Sequence, residues 1–150
     1  MAGVADLGPG LRLIIATLLG SVIGLERELT GQRAGLRTHA LVALGSALFT
    51  VIGLGYVQPP LSGSIPAGDP VRIVGALVAG IGFLAGGAIL RSGGVVQGLT
   101  TAASLWATAA IGLAVGSGFE LLASFATLLV LVVLRGFDWL KERAGLARHD

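Results

Sequence analysis

The residues of this sequence that could do chemistry are concentrated in one short stretch, GLERELTGQRAGLRTH, residues 24–39. Its charged members are two carboxylates and three guanidinium groups: Glu26, Glu28, Arg27, Arg33 and Arg37. Carboxylates can act as acids and bases or bind a hard cation such as Mg²⁺, which prefers several oxygen ligands. On a continuous helix, however, Glu26 and Glu28 point about 200° apart, so they cannot hold one ion together. One of them can face a helix bundle while the other faces water.

Other catalytic groupings do not stand out. The chain has no cysteine, which excludes disulfides, thiolate chemistry and cysteine-ligated metals. His39 is the only histidine outside the C-terminal tail, and we expect it to be hydrogen-bonded or to lie among lipid headgroups, because a metal site needs several converging ligands. No Ser/His/Asp grouping supports hydrolysis, and the net charge of +2 is small. We therefore expect no enzymatic activity, no cofactor and no nucleic-acid partner.

The rest of the sequence is typical of a membrane protein. Hydrophobic residues make up 54% of the chain and charged residues only 12%, whereas a soluble domain carries about 25% charged residues. Uncharged tracts at 40–68, 73–90 and 92–119 are each long enough for a membrane-spanning helix, which needs about 20 apolar residues. The first residues contain Asp6 and no basic residue, so we expect no secretory signal peptide.

The sequence predicts an all-α, polytopic membrane protein, a single domain over residues 1–150 with about five transmembrane helices. The helices are predicted at 9–26, 38–57, 71–90, 99–116 and 119–136, followed by a short basic tail at 137–150. Gln58-Pro59-Pro60 ends the second helix, and Asp69-Pro70 begins the third with Asp69 as its N-cap.

Basic residues are distributed unequally over the two sides of such a bundle. Eight of the ten lie on the side of the C-terminus: Arg27, Arg33, Arg37, Arg91, Arg135, Lys141, Arg143 and Arg148. Only Arg12 and Arg72 lie on the other side. Because basic residues favour the cytoplasm, we predict the N-terminus outside and the C-terminus inside. No charge falls at the middle of a predicted span, which disfavours a charge-coupled transporter.

Glycine accounts for 25 of the 150 residues, and most glycines lie inside the apolar segments. Pairs four positions apart share a helix face: Gly20 with Gly24, Gly82 with Gly86, and Gly112 with Gly116. Small residues let helix backbones approach closely in lipid. We predict that these glycines pack helices together, within one chain or between chains; the alternative is a seam that flexes or lines a pathway. Hydroxyls of the fourth helix are expected to bond to helix carbonyls or to a neighbouring helix: Thr100, Thr101, Ser104 and Thr108.

Two interpretations of residues 24–39 follow from this topology. In the first, the stretch is a solvated cytoplasmic loop whose charges only set the orientation of the chain. In the second, Glu26 or Glu28 pairs with Arg37 or Arg91 and holds the two cytoplasmic connections together, which would organise a binding surface.

Several longer motifs resemble the N-terminal membrane domain of the MgtC/SapB family. They run in order through the chain as GLERE (24–28), RAGLRTH (33–39), DPVRI (69–73), GIGFLAGGAIL (80–90) and GLTTAASLWATAAIGLAVG (98–116). The resemblance extends from about Leu11 to Arg135. Longer members carry a soluble C-terminal domain, which we expect this chain to lack, so functions of that domain are not transferred.

The resemblance implies a bacterial inner-membrane protein linked to magnesium limitation and, in pathogens, to survival in host cells. It implies a regulator that acts on membrane partners, including the F-type ATP synthase. The candidate functional residues that match the family motifs are Glu26, Arg27, Glu28, Arg37, Asp69, Arg72, Thr100 and Thr101, with Arg91 added from the pairing hypothesis.

Three functional hypotheses remain in order of preference. The first is a non-enzymatic regulator, a homo-oligomer in the lipid bilayer that binds other membrane proteins. The alternative is a transporter or channel for Mg²⁺ or another small solute, formed by a homo-oligomer. The third is a purely structural membrane protein whose charges only fix its topology.

Overall fold

The structure is a computed structural model that describes residues 8–55, 70–92 and 94–143. Within these residues the chain forms five helices and one small hairpin: α1 Pro9–Leu29, α2 Leu36–Gly55, α3 Pro70–Gly87, β1 Leu90–Ser92, β2 Val95–Gln97, α4 Leu99–Gly116 and α5 Glu120–Arg143. The all-α class is confirmed. By length and composition, α1, α2 and α4 can each cross a membrane, and α3 is a shorter apolar helix.

Some predicted boundaries are wrong. Helix α1 continues past residue 26 to Leu29. The charges of Glu26 and Arg27 compensate each other in an ion pair, so the two side chains can be buried without hydration and the helix does not have to end before them. Helix α5 continues to Arg143, so the predicted tail at 137–150 is helical at least over its first half. The predicted breaks at Gln58-Pro59-Pro60 and at Asp69 lie outside the described residues.

A short antiparallel hairpin follows α3, where the sequence predicted three more residues of helix. Strands β1 and β2 pair with Arg91 opposite Val96. Helix α3 ends at Gly87, and Gly98 joins the hairpin to α4 with φ +86°. A Cβ at Gly98 would overlap the carbonyl oxygen of Ala88, so only glycine permits this connection.

Helix α2 lies between α1 and α4, and small residues set its distance from both. A Cβ at Gly20 of α1 would lie 2.6 Å from the Cβ of Ala43, and a Cβ at Gly112 of α4 would lie 3.0 Å from the Cα of Ala43. Gly24 lies one turn further along α1 and Gly116 one turn further along α4, and each approaches the backbone of α2 in the same way. These glycines therefore permit the backbone contact on which helix association in lipid depends.

Helix α3 is held less tightly than the others. It packs mainly against α4 and approaches α2 where Ile73 lies against Gly53. Of its side chains only Ala85 is buried among the described residues. At Gly82 and Gly86 no atom of the described chain lies within 4 Å of where a Cβ would be, so this pair does not pack helices within the described part of one chain.

The opposite end of the bundle is joined by an ion pair. Arg12 Nε lies 3.4 Å from Glu120 Oε1, which links the first turn of α1 to the first turn of α5. A glycine turn precedes α5, with Gly118 at φ +86°. Arg12 and Glu120 thus lie at the same end, as the predicted topology requires.

Candidate functional site

The C-terminal end of α1, the first turns of α2 and α4 and the hairpin meet at one end of the bundle. Arg33 Nη2 donates a hydrogen bond of 3.2 Å to Gln97 Oε1, which joins the α1–α2 loop to strand β2. Gly24 lies directly under the start of α2, since its Cβ would be 2.7 Å from the Cα of Leu36. These elements carry most of the candidate residues named from the sequence.

Glu26 and Arg27 form a buried bidentate ion pair. Arg27 Nε donates to Glu26 Oε2 at 2.5 Å, and Arg27 Nη2 donates to Glu26 Oε1 at 2.8 Å. The exposed fractions of the two side chains are 2% and 5%. Both carboxylate oxygens are thus occupied by one guanidinium group, an arrangement that gives the strongest charge-assisted hydrogen bonds. Removing one partner of such a pair costs about 3–5 kcal/mol, because an uncompensated charge stays buried.

Glu28 faces the other way, as its spacing from Glu26 predicted. It is exposed, and its Oε2 accepts a 2.8 Å hydrogen bond from the backbone N–H of Leu36, the first residue of α2. A carboxylate at a helix N-terminus satisfies an otherwise unpaired donor and interacts favourably with the positive end of the helix dipole. Glu28 therefore fixes the direction in which α2 leaves the loop.

His39 is fully buried between α1 and α4. A Cβ at Gly24 would lie 3.0 Å from the Cβ of His39, so only glycine leaves room for the ring on the α1 side. On the α4 side His39 Nε2 lies 3.0 Å from Ser104 Oγ, and Nδ1 lies 3.0 Å from the carbonyl oxygen of Gly35. The expectation of a hydrogen-bonded histidine is confirmed.

The partners of His39 determine where its proton lies. The carbonyl of Gly35 can only accept, so Nδ1 carries a proton and donates it. In a neutral ring Nε2 then accepts from the Ser104 hydroxyl; in a charged ring Nε2 donates to Ser104 Oγ. In the charged case the Ser104 proton goes to the carbonyl oxygen of Thr101, which lies 2.8 Å from Ser104 Oγ. Ser104 can therefore donate a hydrogen bond to a neutral His39 ring or accept one from a charged ring.

Hydroxyl groups continue from this cluster along the contact between α2 and α4. Thr108 donates to the carbonyl of Ser104 at 2.8 Å, Ser46 donates to the carbonyl of Ala109 at 2.5 Å, and Thr50 donates to the carbonyl of Ser46 at 2.8 Å. All of these side chains are buried. The predicted use of helix carbonyls by Ser104 and Thr108 is confirmed, and Ser46 joins α2 directly to α4.

The remaining candidate residues are dispersed. Thr101 is buried beside Ser104, whereas Thr100, Arg37 and Arg91 are exposed at the same end. Arg72 is exposed at the opposite end, near the start of α3, and Asp69 lies outside the described residues. Among residues 8–55, 70–92 and 94–143, no ion pair joins Glu26 or Glu28 to Arg37 or Arg91. The two connections are joined instead by Arg33 and Gln97.

The donor set gives little support for a resident metal ion. In the part of the chain that the structure describes, no three His, Asp or Glu side chains converge. Glu26 is already neutralised and Glu28 is engaged at the helix start. What this end offers is a closed polar interior beneath an exposed surface that carries Arg33, Arg37 and Arg91.

The pairing of His39 with Ser104 was not predicted from the sequence. These residues are 65 positions apart, and neither belongs to a catalytic pattern. One signal was available: Ser104, Thr108 and Gly112 recur every four residues on α4, which marks a small and polar face able to receive a side chain from another helix.

Comparison with known proteins gives consistent relatives. The model of the MgtC family matches residues 13–143. YhiD of Escherichia coli K12, provisionally named a magnesium transporter, is 42% identical over 133 residues, which are 89% of this chain and 62% of YhiD. SapB of Bacillus subtilis is 38% identical over 90% of this chain and 59% of its own length. MgtC of Brucella abortus is 42% identical over 79% of this chain and 46% of its own length.

The chain thus spans about half to two thirds of the length of these relatives. SrpB of Synechococcus elongatus is covered further, with 43% identity over 93% of this chain and 80% of SrpB. No solved structure matches the chain.

Proposed function

This chain belongs to the MgtC family, and we propose that it is a magnesium-related membrane protein that regulates other membrane proteins and catalyses no reaction. The matched region, 13–143, includes almost all of the five helices. The chain is a multi-pass bacterial membrane protein, in keeping with its apolar helices and its bacterial relatives.

The pairing of Glu26 with Arg27 is the observation that carries the proposal. A protein site that binds Mg²⁺ uses one or two carboxylates with free oxygens, while the ion keeps several of its waters. Here the buried carboxylate gives both of its oxygens to a guanidinium group on the same helix. The pair is suited to holding α1 rigid at its end, and it leaves Glu26 poorly suited to binding a passing cation.

The exposed surface above this pair supports a role in binding a partner. Arg33, Arg37 and Arg91 belong to separate elements and are all exposed at the same end of the bundle. Positively charged side chains held on a rigid surface attract a partner that carries acidic groups, and they orient that partner. The resemblance implies the F-type ATP synthase as one such membrane partner, and self-association into a homo-oligomer belongs to the same proposal.

Transport of Mg²⁺ or another small solute is the second candidate. It is favoured by the name of YhiD and by the row of buried hydroxyl groups between α2 and α4. Those hydroxyls already donate to helix carbonyls, so opening a path would require the two helices to separate. We therefore rank transport second.

One experiment with two measurements separates the candidates. Crosslinked complexes are purified from membranes of cells grown at low and at high magnesium, with the wild-type chain, with an Arg33→Gln/Arg91→Gln double variant and with Arg72→Gln as the control at the opposite end. Purified protein in liposomes is then assayed for Mg²⁺ entry with an enclosed indicator.

The regulator proposal expects a defined membrane partner that depends on magnesium, is lost in the double variant and is retained in the control. It also expects Mg²⁺ entry no faster than in empty liposomes. Mg²⁺ entry that the wild-type chain catalyses well above the rate in empty liposomes would overturn it in favour of transport.

A further inference from the structure

An apolar cavity of about 760 Å³ opens between α2 and α3, with α4 as its floor. Leu41 and Phe49 of α2 and Ile73 and Leu84 of α3 form its walls, Ala109 of α4 lies at its base, and Arg37 lies at one end. Leu41 and Phe49 are 66% and 69% exposed. Because these exposed side chains lie on a membrane-spanning helix, the cavity opens sideways to the bilayer.

The shape of the cavity follows from the way α3 is attached. Helix α3 approaches α2 where Ile73 meets Gly53, and the two helices leave space between them towards the end that carries Arg37. From Arg37 to Phe49 the cavity follows 13 residues of α2, a rise of about 18 Å. Half of a bilayer's hydrocarbon core is about 15 Å, so the cavity is one leaflet deep.

The walls of the cavity are mostly apolar, and their hydroxyl groups are those of Thr38 and Ser46. The Ser46 hydroxyl reaches its edge but donates to the carbonyl of Ala109. Gly45 and Gly80 line it from opposite sides, and nothing lies within 4 Å of where a Cβ would be at either position. Among the described residues that line the cavity, the one charged group is Arg37, at the level where α2 leaves the loop.

We propose that this cavity is a binding site for an anionic phospholipid, with one acyl chain between α2 and α3 and its phosphate on Arg37. Depth, apolar walls and a single cation at the mouth match a lipid of the leaflet on the Arg37 side. Lipid is also the medium that already surrounds this face.

Arg37 gives the site a preference among headgroups. A guanidinium group near the membrane surface favours an anionic over a zwitterionic lipid by about fivefold. Phosphatidylglycerol should therefore be retained in preference to phosphatidylethanolamine. This inference does not depend on the regulatory proposal, since a structural protein or a transporter could hold the same lipid.

The test is native mass spectrometry of the full chain purified in detergent, stripped of lipid and titrated with phosphatidylglycerol or phosphatidylethanolamine. Gly80→Leu fills the cavity from α3, and Gly45→Leu fills it from α2 as a second variant should the first not fold. Gly75→Leu is the matched control: no atom of the described chain lies within 4 Å of where its Cβ would be, and Gly75 lies on the same helix without lining the cavity. Arg37→Gln removes the headgroup contact, with Arg33→Gln as its control.

We expect the wild type and Gly75→Leu to retain phosphatidylglycerol and the filled variants to lose most of it. Arg37→Gln should still bind lipid but lose the preference of about fivefold for the anionic headgroup, and Arg33→Gln should keep it. Retention of lipid in folded Gly80→Leu or Gly45→Leu at the wild-type level would overturn the proposal. So would a chemically crosslinked dimer that Gly80→Leu abolishes without changing the bound lipid, since a second copy would then fill the cavity.

Discussion

His39 of α2 and Ser104 of α4 hydrogen-bond to each other across a distance of 3.0 Å in the buried interior of the bundle. The imidazole is held at its other nitrogen by the carbonyl of Gly35, so the ring has a fixed orientation. Through this contact the start of α2 is tied both to its own loop and to α4, at the end where the buried ion pair lies.

Ser104→Ala should destabilise the protein by about 1–3 kcal/mol, because it leaves His39 Nε2 buried without a partner. The measurement is the detergent-solubilised unfolding midpoint. Ser124→Ala is the control: Ser124 also donates to a helix carbonyl, that of Glu120, but it is exposed, and its loss should change the free energy of unfolding by less than about 0.5 kcal/mol. Equal effects of the two substitutions would contradict the role given to His39.

Arg27→Met should lower the free energy of unfolding by about 3–5 kcal/mol, because the Glu26 carboxylate would remain buried without its counterion. Cellular abundance and thermal unfolding of the purified chain both measure this. Arg33→Met, at an exposed position of the adjoining loop, should stay near the wild type.

The double substitution Glu26→Gln/Arg27→Met provides a stricter test of the pair. Removing both charges removes the desolvation cost along with the attraction, so stability should recover most of what Arg27→Met alone loses. If the double variant is as unstable as the single one, the arginine is needed for contacts other than Glu26. If it is stable but inactive in the magnesium response, the pair is functional as well as structural.

Gly112→Ala should destabilise the protein strongly, because the added methyl group would meet the backbone of Ala43. The two helices would have to separate along their length, at a cost of about 1–3 kcal/mol or more. The control is Gly75→Ala, where no atom of the described chain lies within 4 Å of the added methyl group. This substitution should be neutral or stabilising by up to about 1 kcal/mol through its helix propensity. Thermal unfolding of the two variants in one detergent makes the comparison.

The orientation of the chain can be measured directly, because there is no native cysteine. Phe119→Cys, at the exposed turn before α5, should react with a membrane-impermeant maleimide added to intact cells with a permeable outer membrane. Arg33→Cys should react only after the inner membrane is broken. The reverse pattern would contradict the orientation that the distribution of basic residues predicts.

The sequence predicted those parts of the fold that depend on segment composition. Uncharged apolar tracts predicted the number and order of helices, and Pro9 and Pro70 mark their starts as expected of proline in a first helical turn. The opposite facing of Glu26 and Glu28 also followed from helix geometry alone.

The sequence did not predict the parts that depend on a partner. Glu26 and Arg27 are adjacent, and neighbouring residues on a helix do not normally face each other. The sequence therefore favoured Arg37 and Arg91 as partners of the carboxylates. Likewise, no local pattern shows that Gly112 meets Ala43 or that Gly82 meets no other helix of the described chain. The depth at which one helix packs against another depends on the side chains of both helices.

The hairpin after α3 has a consequence for the depth at which this helix lies in the bilayer. Its outer strand edges have no backbone partner within the described chain, so they cannot lie in hydrocarbon. Helix α3 ends at Gly87, and the hairpin begins at Leu90. A shift of α3 towards the centre of the bilayer would carry the unpaired strand edges into hydrocarbon, so the hairpin limits how far α3 can move along the membrane normal.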